Sequence, residues 1–125
     1  KFVPKGAKGA RELLAAVRQN AHIGLLVDQK MNDGISVPFF GREAMTAPAL
    51  AQLALKSGRP IIPLKTERLK GAWFRVTVYP ALNFDRTGDQ EADIHNIMIA
   101  INKVLESWIR ENPDQWLWLH NRWSD

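Results

Sequence analysis

The sequence predicts an α/β fold, a mixed sheet flanked by helices, with residues 1–125 forming one domain or part of one. Three observations lead there. Amphipathic helical segments alternate with short apolar runs that suit strands. A sustained helical repeat of apolar residues occupies the last third. The composition, 46% hydrophobic and 24% charged over 125 residues, is that of a chain able to bury roughly two-thirds of its unfolded surface.

The elements follow in order. Gly9–Asn20 sets Leu13, Leu14 and Val17 against Arg11, Glu12, Arg18 and Gln19, an amphipathic helix. Ile23–Val27 is a short apolar run that suits a strand buried on both faces. Asp28–Gly34 is polar, holds an Asp-Gly turn signal and reads as a loop. Val37-Pro38-Phe39-Phe40-Gly41 continues it, kept irregular by Pro and Gly. Thr46-Ala47-Pro48 opens a second helix, with Thr46 as N-cap and Ser57-Gly58 as its stop. Pro60–Leu64 and Trp73–Tyr79 read as strands, the second following a Lys70-Gly71 turn. In Asp89–Glu111, Ile94, Ile97, Met98, Ile101, Val104, Leu105, Trp108 and Ile109 fall at helical spacing, and Asn112-Pro113 stops the helix. A Trp-rich tail, Trp116–His120, reads as a packed terminus.

Several classes of chemistry are excluded. With no cysteine there is no disulfide framework, thiolate metal site or cysteine nucleophile, which fits a cytosolic location without establishing one. His22, His95 and His120 stand far apart without metal-ligand spacing, so no metal site is expected; His95 falls on the polar side of its helix, toward solvent. No apolar run nears the ~20 residues of a membrane span, and no leader with a cleavage site follows Lys1. The chain does not begin with Met and is expected to come from something longer. Charge is uneven: residues 1–82 hold 13 Lys/Arg and 5 Asp/Glu, residues 83–125 hold 4 and 8. Such a basic region suits anionic lipid, nucleic acid or an acidic protein, or is simply a solvated face.

Two places concentrate candidate chemistry. Asp28-Gln29 stands at the carboxyl end of an apolar run, where ligands gather in open α/β sheets. A carboxylate there can orient a base, position an Arg or bind a metal; it can equally cap a turn. Phe39 and Phe40 either plug the core or line an apolar channel. Arg42 and Thr46 can hold a phosphate at a helix N-terminus, although a plain N-cap explains Thr46 equally well.

Together these motifs carry a resemblance. Leu25-Leu26-Val27-Asp28-Gln29, Val37-Pro38-Phe39-Phe40-Gly41, the helix from Thr46 through Ala54, Ser57-Gly58-Arg59-Pro60-Ile61-Ile62-Pro63, Trp108-Ile109-Arg110 and Pro113–His120 stand in fixed order. The set resembles the C-terminal part of bacterial lipid A biosynthesis acyltransferases, the lauroyl and myristoyl transferases of the lysophospholipid acyltransferase superfamily. The resemblance implies that residues 1–125 are the C-terminal part of a single domain with a glycerolipid acyltransferase-like fold. The implied enzyme sits at the cytoplasmic face of the inner membrane, peripherally or through an N-terminal anchor outside this chain. It moves a fatty acyl group from acyl carrier protein to a hydroxyl of a lipid A precursor, without metal or organic cofactor. The implied base, a His-x4-Glu/Asp dyad, precedes the Asp-Gln motif, so these 125 residues alone are expected to be inactive. Asp28 is the implied catalytic residue, in an orienting role; Gln29, Phe39, Phe40, Gly41, Arg42 and Thr46 are implied to contact substrate. His120 and Asp125 share the dyad's spacing on the wrong side of these motifs and read as coincidence. The partners implied are acyl carrier protein, the lipid A precursor and the membrane surface, with no nucleic acid. The alternatives are a relative acting on another glycolipid, or a non-catalytic basic module binding lipid or nucleic acid.

Overall fold

A computed structural model describes residues 2–3, 7–119 and 121–123. In chain order the elements are helix α1 (Ala7–Arg18), strands β1 (Lys30–Phe39) and β2 (Arg42–Thr46), helix α2 (Ala49–Ser57), strands β3 (Leu64–Lys70) and β4 (Trp73–Val78), helix α3 (Gln90–Glu111) and a 3-10 turn, Pro113–Gln115. The mixed α/β class is as expected. Among the described residues the strands form two separate antiparallel hairpins, β1–β2 and β3–β4.

The largest departure from the sequence reading is β1–β2, where a loop was expected. Asp33-Gly34 does not turn the chain. It lies inside β1, where the register slips so that Lys30 and Ile35 both face Thr46. Gly34 is required there: a Cβ would run into the Thr46 carbonyl and stand 2.9 Å from that of Met31. The reversal falls instead at Phe40-Gly41, with φ of +52° and +74°, the pair of positive values a type I′ hairpin turn demands. Pro38 is tolerated because a two-stranded sheet is all edge.

The Ile23–Val27 strand does not form. Its alternation survives in Ile23, Leu25 and Val27, half-buried, and Leu26, 85% exposed, but a strand exists only against a neighbour, and no described segment pairs with it. The Pro60–Leu64 strand is also displaced. Ile61 and Pro63 carbonyls accept from the Leu82 and Tyr79 N–H groups, yet the regular ladder begins at Leu64 and runs to Lys70. Thr46 ends β2 rather than capping α2; Pro48 takes the N-cap position, and Gly58 closes the helix as expected, its N–H bonded to the Ala54 carbonyl.

α3 is as the apolar spacing specified. Asp89 caps it through the Glu91 and Ala92 N–H groups, and Ile94, Ile97, Met98 and Ile101 are buried. They form the main core with Val37, Ala51, Ala54 and Ile61. The polar residues of α3 are not merely solvated. His95 Nε2 lies 3.2 Å from the Ser36 carbonyl oxygen, Asn102 Nδ2 donates to the Pro38 carbonyl at 3.0 Å, and Glu106 accepts the Phe40 N–H at 2.8 Å. Spaced to share one helix face, they engage main-chain groups along β1 that would otherwise invite another strand. At its far end α3 holds the second hairpin: Lys65, 8% exposed, bonds to Glu111 at 2.6 Å and to Glu67 at 3.3 Å. The Glu111 hydrogen bond outweighs desolvation and holds the Lys65 ammonium above its ordinary pKa.

Candidate functional site

The tail decides how the site is assembled. Phe39 is fully buried, with Trp123 stacked on it at 5.7 Å and Phe40 and Trp116 edge-on at 4.9 and 5.9 Å. Of the two uses open to it, Phe39 plugs the core. Phe40 is half-buried and carries the Arg110 guanidinium 4.7 Å from its ring centre. Its positive φ is an unusual conformation for a bulky residue; the Glu106 bond and these ring contacts hold it.

Arg122 is the hub, 2% exposed. Nη1 donates to the Met45 carbonyl at 2.9 Å and Nη2 to Thr46 Oγ1 at 2.7 Å, while the guanidinium lies 4.9 Å from the Phe39 ring centre. Nε is buried without a hydrogen-bond partner among the described residues. Burial pushes this guanidinium below its ordinary pKa, and the negative charge of Asp28 acts in the opposite direction. Asp28 Oδ2 accepts from Trp116 Nε1 at 3.1 Å. Asp28, Gln29 and Lys30 then line a small cavity of about 70 Å³ with Trp116–Leu119 and Arg122. The Arg42 guanidinium lies 5.6 Å from the Trp123 ring centre, and Thr46 spends its hydroxyl on the Ala44 carbonyl and Arg122.

All seven residues singled out from the sequence therefore gather around one tail. Asp28 and Gln29 face the cavity; Phe39, Phe40, Gly41 and Arg42 lie at the turn of the first hairpin, where Trp116 and Trp123 pack, and Thr46 stands at the far end of β2, where Arg122 binds it. The sequence reading missed Trp116 and Arg122, assigning the tail to fold support. The available signal was an Arg among Trp residues, far in sequence from the groups it binds. His120 and Asp125 lie outside the described residues. A larger open groove of about 530 Å³, walled in part by Ser36, Gln52, Glu91 and His95, contains none of the seven.

The cavity pairs a carboxylate with a buried cation beside an aromatic wall, an arrangement that orients a polar group without supplying a metal site. Among the described residues no group of three His, Asp or Glu could hold a metal ion. The sequence profile of the bacterial lipid A biosynthesis acyltransferases matches residues 1–125. The chain belongs to this family. A curated relative, the lipid A biosynthesis acyltransferase of Haemophilus influenzae, is 25% identical over 114 residues, covering 89% of this chain and 34% of its own length. The chain thus spans about a third of that relative. No helix among the described residues is long and apolar enough to cross a membrane.

Proposed function

We propose that the protein transfers a fatty acyl group from acyl carrier protein to a hydroxyl of a lipid A precursor, at the cytoplasmic face of the inner membrane. The family match along the whole chain carries this reading. The excess of cations in residues 1–82 supports it, since carrier protein, phosphorylated acceptor and inner leaflet are all acidic. In the transfer, the acceptor oxygen attacks the thioester carbonyl, the C–O bond forms, the C–S bond breaks and the carrier thiol leaves with a proton. The base is the upstream His-x4-Glu/Asp dyad. Asp28 is a positioning residue: fixed by the Trp116 indole, its carboxylate orients an electropositive group of the active site through a charge-assisted hydrogen bond.

The test is acyl transfer by the full-length protein, with acyl carrier protein as donor and a lipid A precursor as acceptor. Asp28→Ala is expected to lose about a hundredfold in rate, the scale of a misplaced catalytic group, with the circular dichroism spectrum unchanged. Residues 1–125 alone are expected to show no transfer. Full activity in Asp28→Ala removes Asp28 from the site, and an inert unsubstituted protein overturns the assigned reaction.

A further inference from the structure

The Asp-Gln motif has little backbone support of its own. Ile23–Val27, which leads into Asp28, pairs with no described strand. The first ladder begins only at Lys30, which stands opposite Thr46. Two groups of the tail hold what lies between. Trp116 Nε1 donates to Asp28 Oδ2 at 3.1 Å. Arg122 donates to Thr46 Oγ1 at 2.7 Å and to the Met45 carbonyl at 2.9 Å, so its guanidinium is anchored at the residue that pairs with Lys30.

A purely structural role fits this arginine poorly. A buried guanidinium is costly, and an apolar side chain of similar volume would fill the space beside Phe39 without that cost. The cost is higher still because Nε is left without a hydrogen-bond partner among the described residues. Charge offsets it. Burial pushes the Arg122 guanidinium below its ordinary pKa, and the negative charge of Asp28 acts against that. The attraction is mutual, so a cation fixed at Thr46 draws the Asp28 carboxylate toward the tail. Asp28, Lys30 and Arg122 are the charged groups lining the small cavity between them, one carboxylate with two cations. Among the described residues no direct ion pair joins Asp28 to Arg122. Arg122 therefore acts across the cavity rather than by occupying the carboxylate.

We infer that Arg122 is a positioning residue for the acyl transfer and acts through Asp28. Its charge, anchored at the end of β2, sets the place of the carboxylate that Trp116 fixes. This rests on the role proposed above for Asp28 and adds the residue through which docking of the tail reaches the reaction.

A double-mutant cycle on the full-length protein separates this role from a structural one. Alone, Arg122→Met is expected to lower kcat/KM for transfer by about tenfold, since a displaced carboxylate loses part of what its removal loses. In the Asp28→Ala background the same substitution is expected to lower it by less than about twofold, because groups that act as a unit are not additive. Arg122→Lys keeps the charge and is expected to regain most of the transfer. If Arg122→Met does not fold, Arg122→Gln takes its place, removing the charge while keeping an N–H donor. A second readout involves no reaction. With isotope-labelled indole nitrogens, the Trp116 signal is identified by its loss in Trp116→Phe. That signal is expected to move in Arg122→Met and to stay near its wild-type position in Arg122→Lys. An unmoved Trp116 signal, or losses that multiply across the cycle, would overturn the inference. Full activity in Asp28→Ala with a moved Trp116 signal is a distinct outcome: the coupling of Arg122 to Asp28 stands, and the proposed role of both in transfer falls.

Discussion

Asp28 Oδ2 and Trp116 Nε1 are joined by a 3.1 Å hydrogen bond across 88 residues of sequence. The bond ties the Asp-Gln motif to a tail that also supplies Arg122 and Trp123 to the two ends of the first hairpin. The orientation of the Asp28 carboxylate therefore depends on the tail being docked. Trp116→Phe keeps a ring but removes the N–H; it is expected to lower transfer by about tenfold, less than Asp28→Ala, and to cost about 1 kcal/mol in urea unfolding, the typical net worth of one hydrogen bond.

Arg122 serves three partners at once. Arg122→Met leaves the Met45 carbonyl and the Thr46 hydroxyl with one donor fewer in a dry site, and a loss of about 3 kcal/mol is expected in urea unfolding. Arg122→Lys should recover only part of it, because an ammonium cannot reproduce the two-pronged geometry. Equal stability of Arg122→Lys and wild type would show that the charge alone matters.

Two glycines of the first hairpin should respond differently to alanine. At Gly41 nothing stands within 4 Å of an added Cβ, so Gly41→Ala carries only the left-handed backbone penalty of roughly 1–2 kcal/mol. At Gly34 the added Cβ would collide with main-chain oxygen of Thr46, at the residue that carries the Arg122 contact. Gly34→Ala should be the more destabilising of the two by chemical denaturation.

Asn102 is fully buried and donates to the Pro38 carbonyl. Asn102→Ala removes that donor and leaves a cavity between α3 and β1. A loss of about 1–3 kcal/mol is expected, with increased amide exchange along β1 as the local sign that strand and helix have separated.

Asp93 links stability to acid. Its Oδ1 accepts from both the main-chain N–H and the hydroxyl of Thr87; these bonds, the main-chain one foremost, hold its pKa below the ordinary carboxylate value. A depressed folded-state pKa gives stability that is fully present above the unfolded-state value near 4 and lost as pH falls through the folded-state value. Melting temperatures of wild type and Asp93→Ala should differ at neutral pH and converge below about pH 4. A gap that persists in strong acid would trace the effect to packing instead.

Local periodicity was enough to read much of this protein. α3, its Asp89 cap region and its Pro113 stop, the Gly58 closure of α2 and strand β4 all follow from side chains within a turn or two of each other, so no distant partner is needed to choose the conformation. Residues 1–125 also carry, in the order of their motifs, the family to which the chain belongs. What the sequence left open depends on distant groups. Ile23–Val27 has the residues of a strand but no described neighbour to make it one. Asp33-Gly34 looks like a turn, yet the turn went to Phe40-Gly41, where α3 holds Phe40 by a bond from Glu106. His95 looks like a solvent-facing position until β1 lies against it. The site has the same character. Asp28, Phe39 and Thr46 stand out as residues, but the groups that give each its role, Trp116, Trp123 and Arg122, lie 76 to 88 positions away. Only the packed chain places those hydrogen bonds in a dry environment, where an unpaired polar group is costly enough to decide the arrangement.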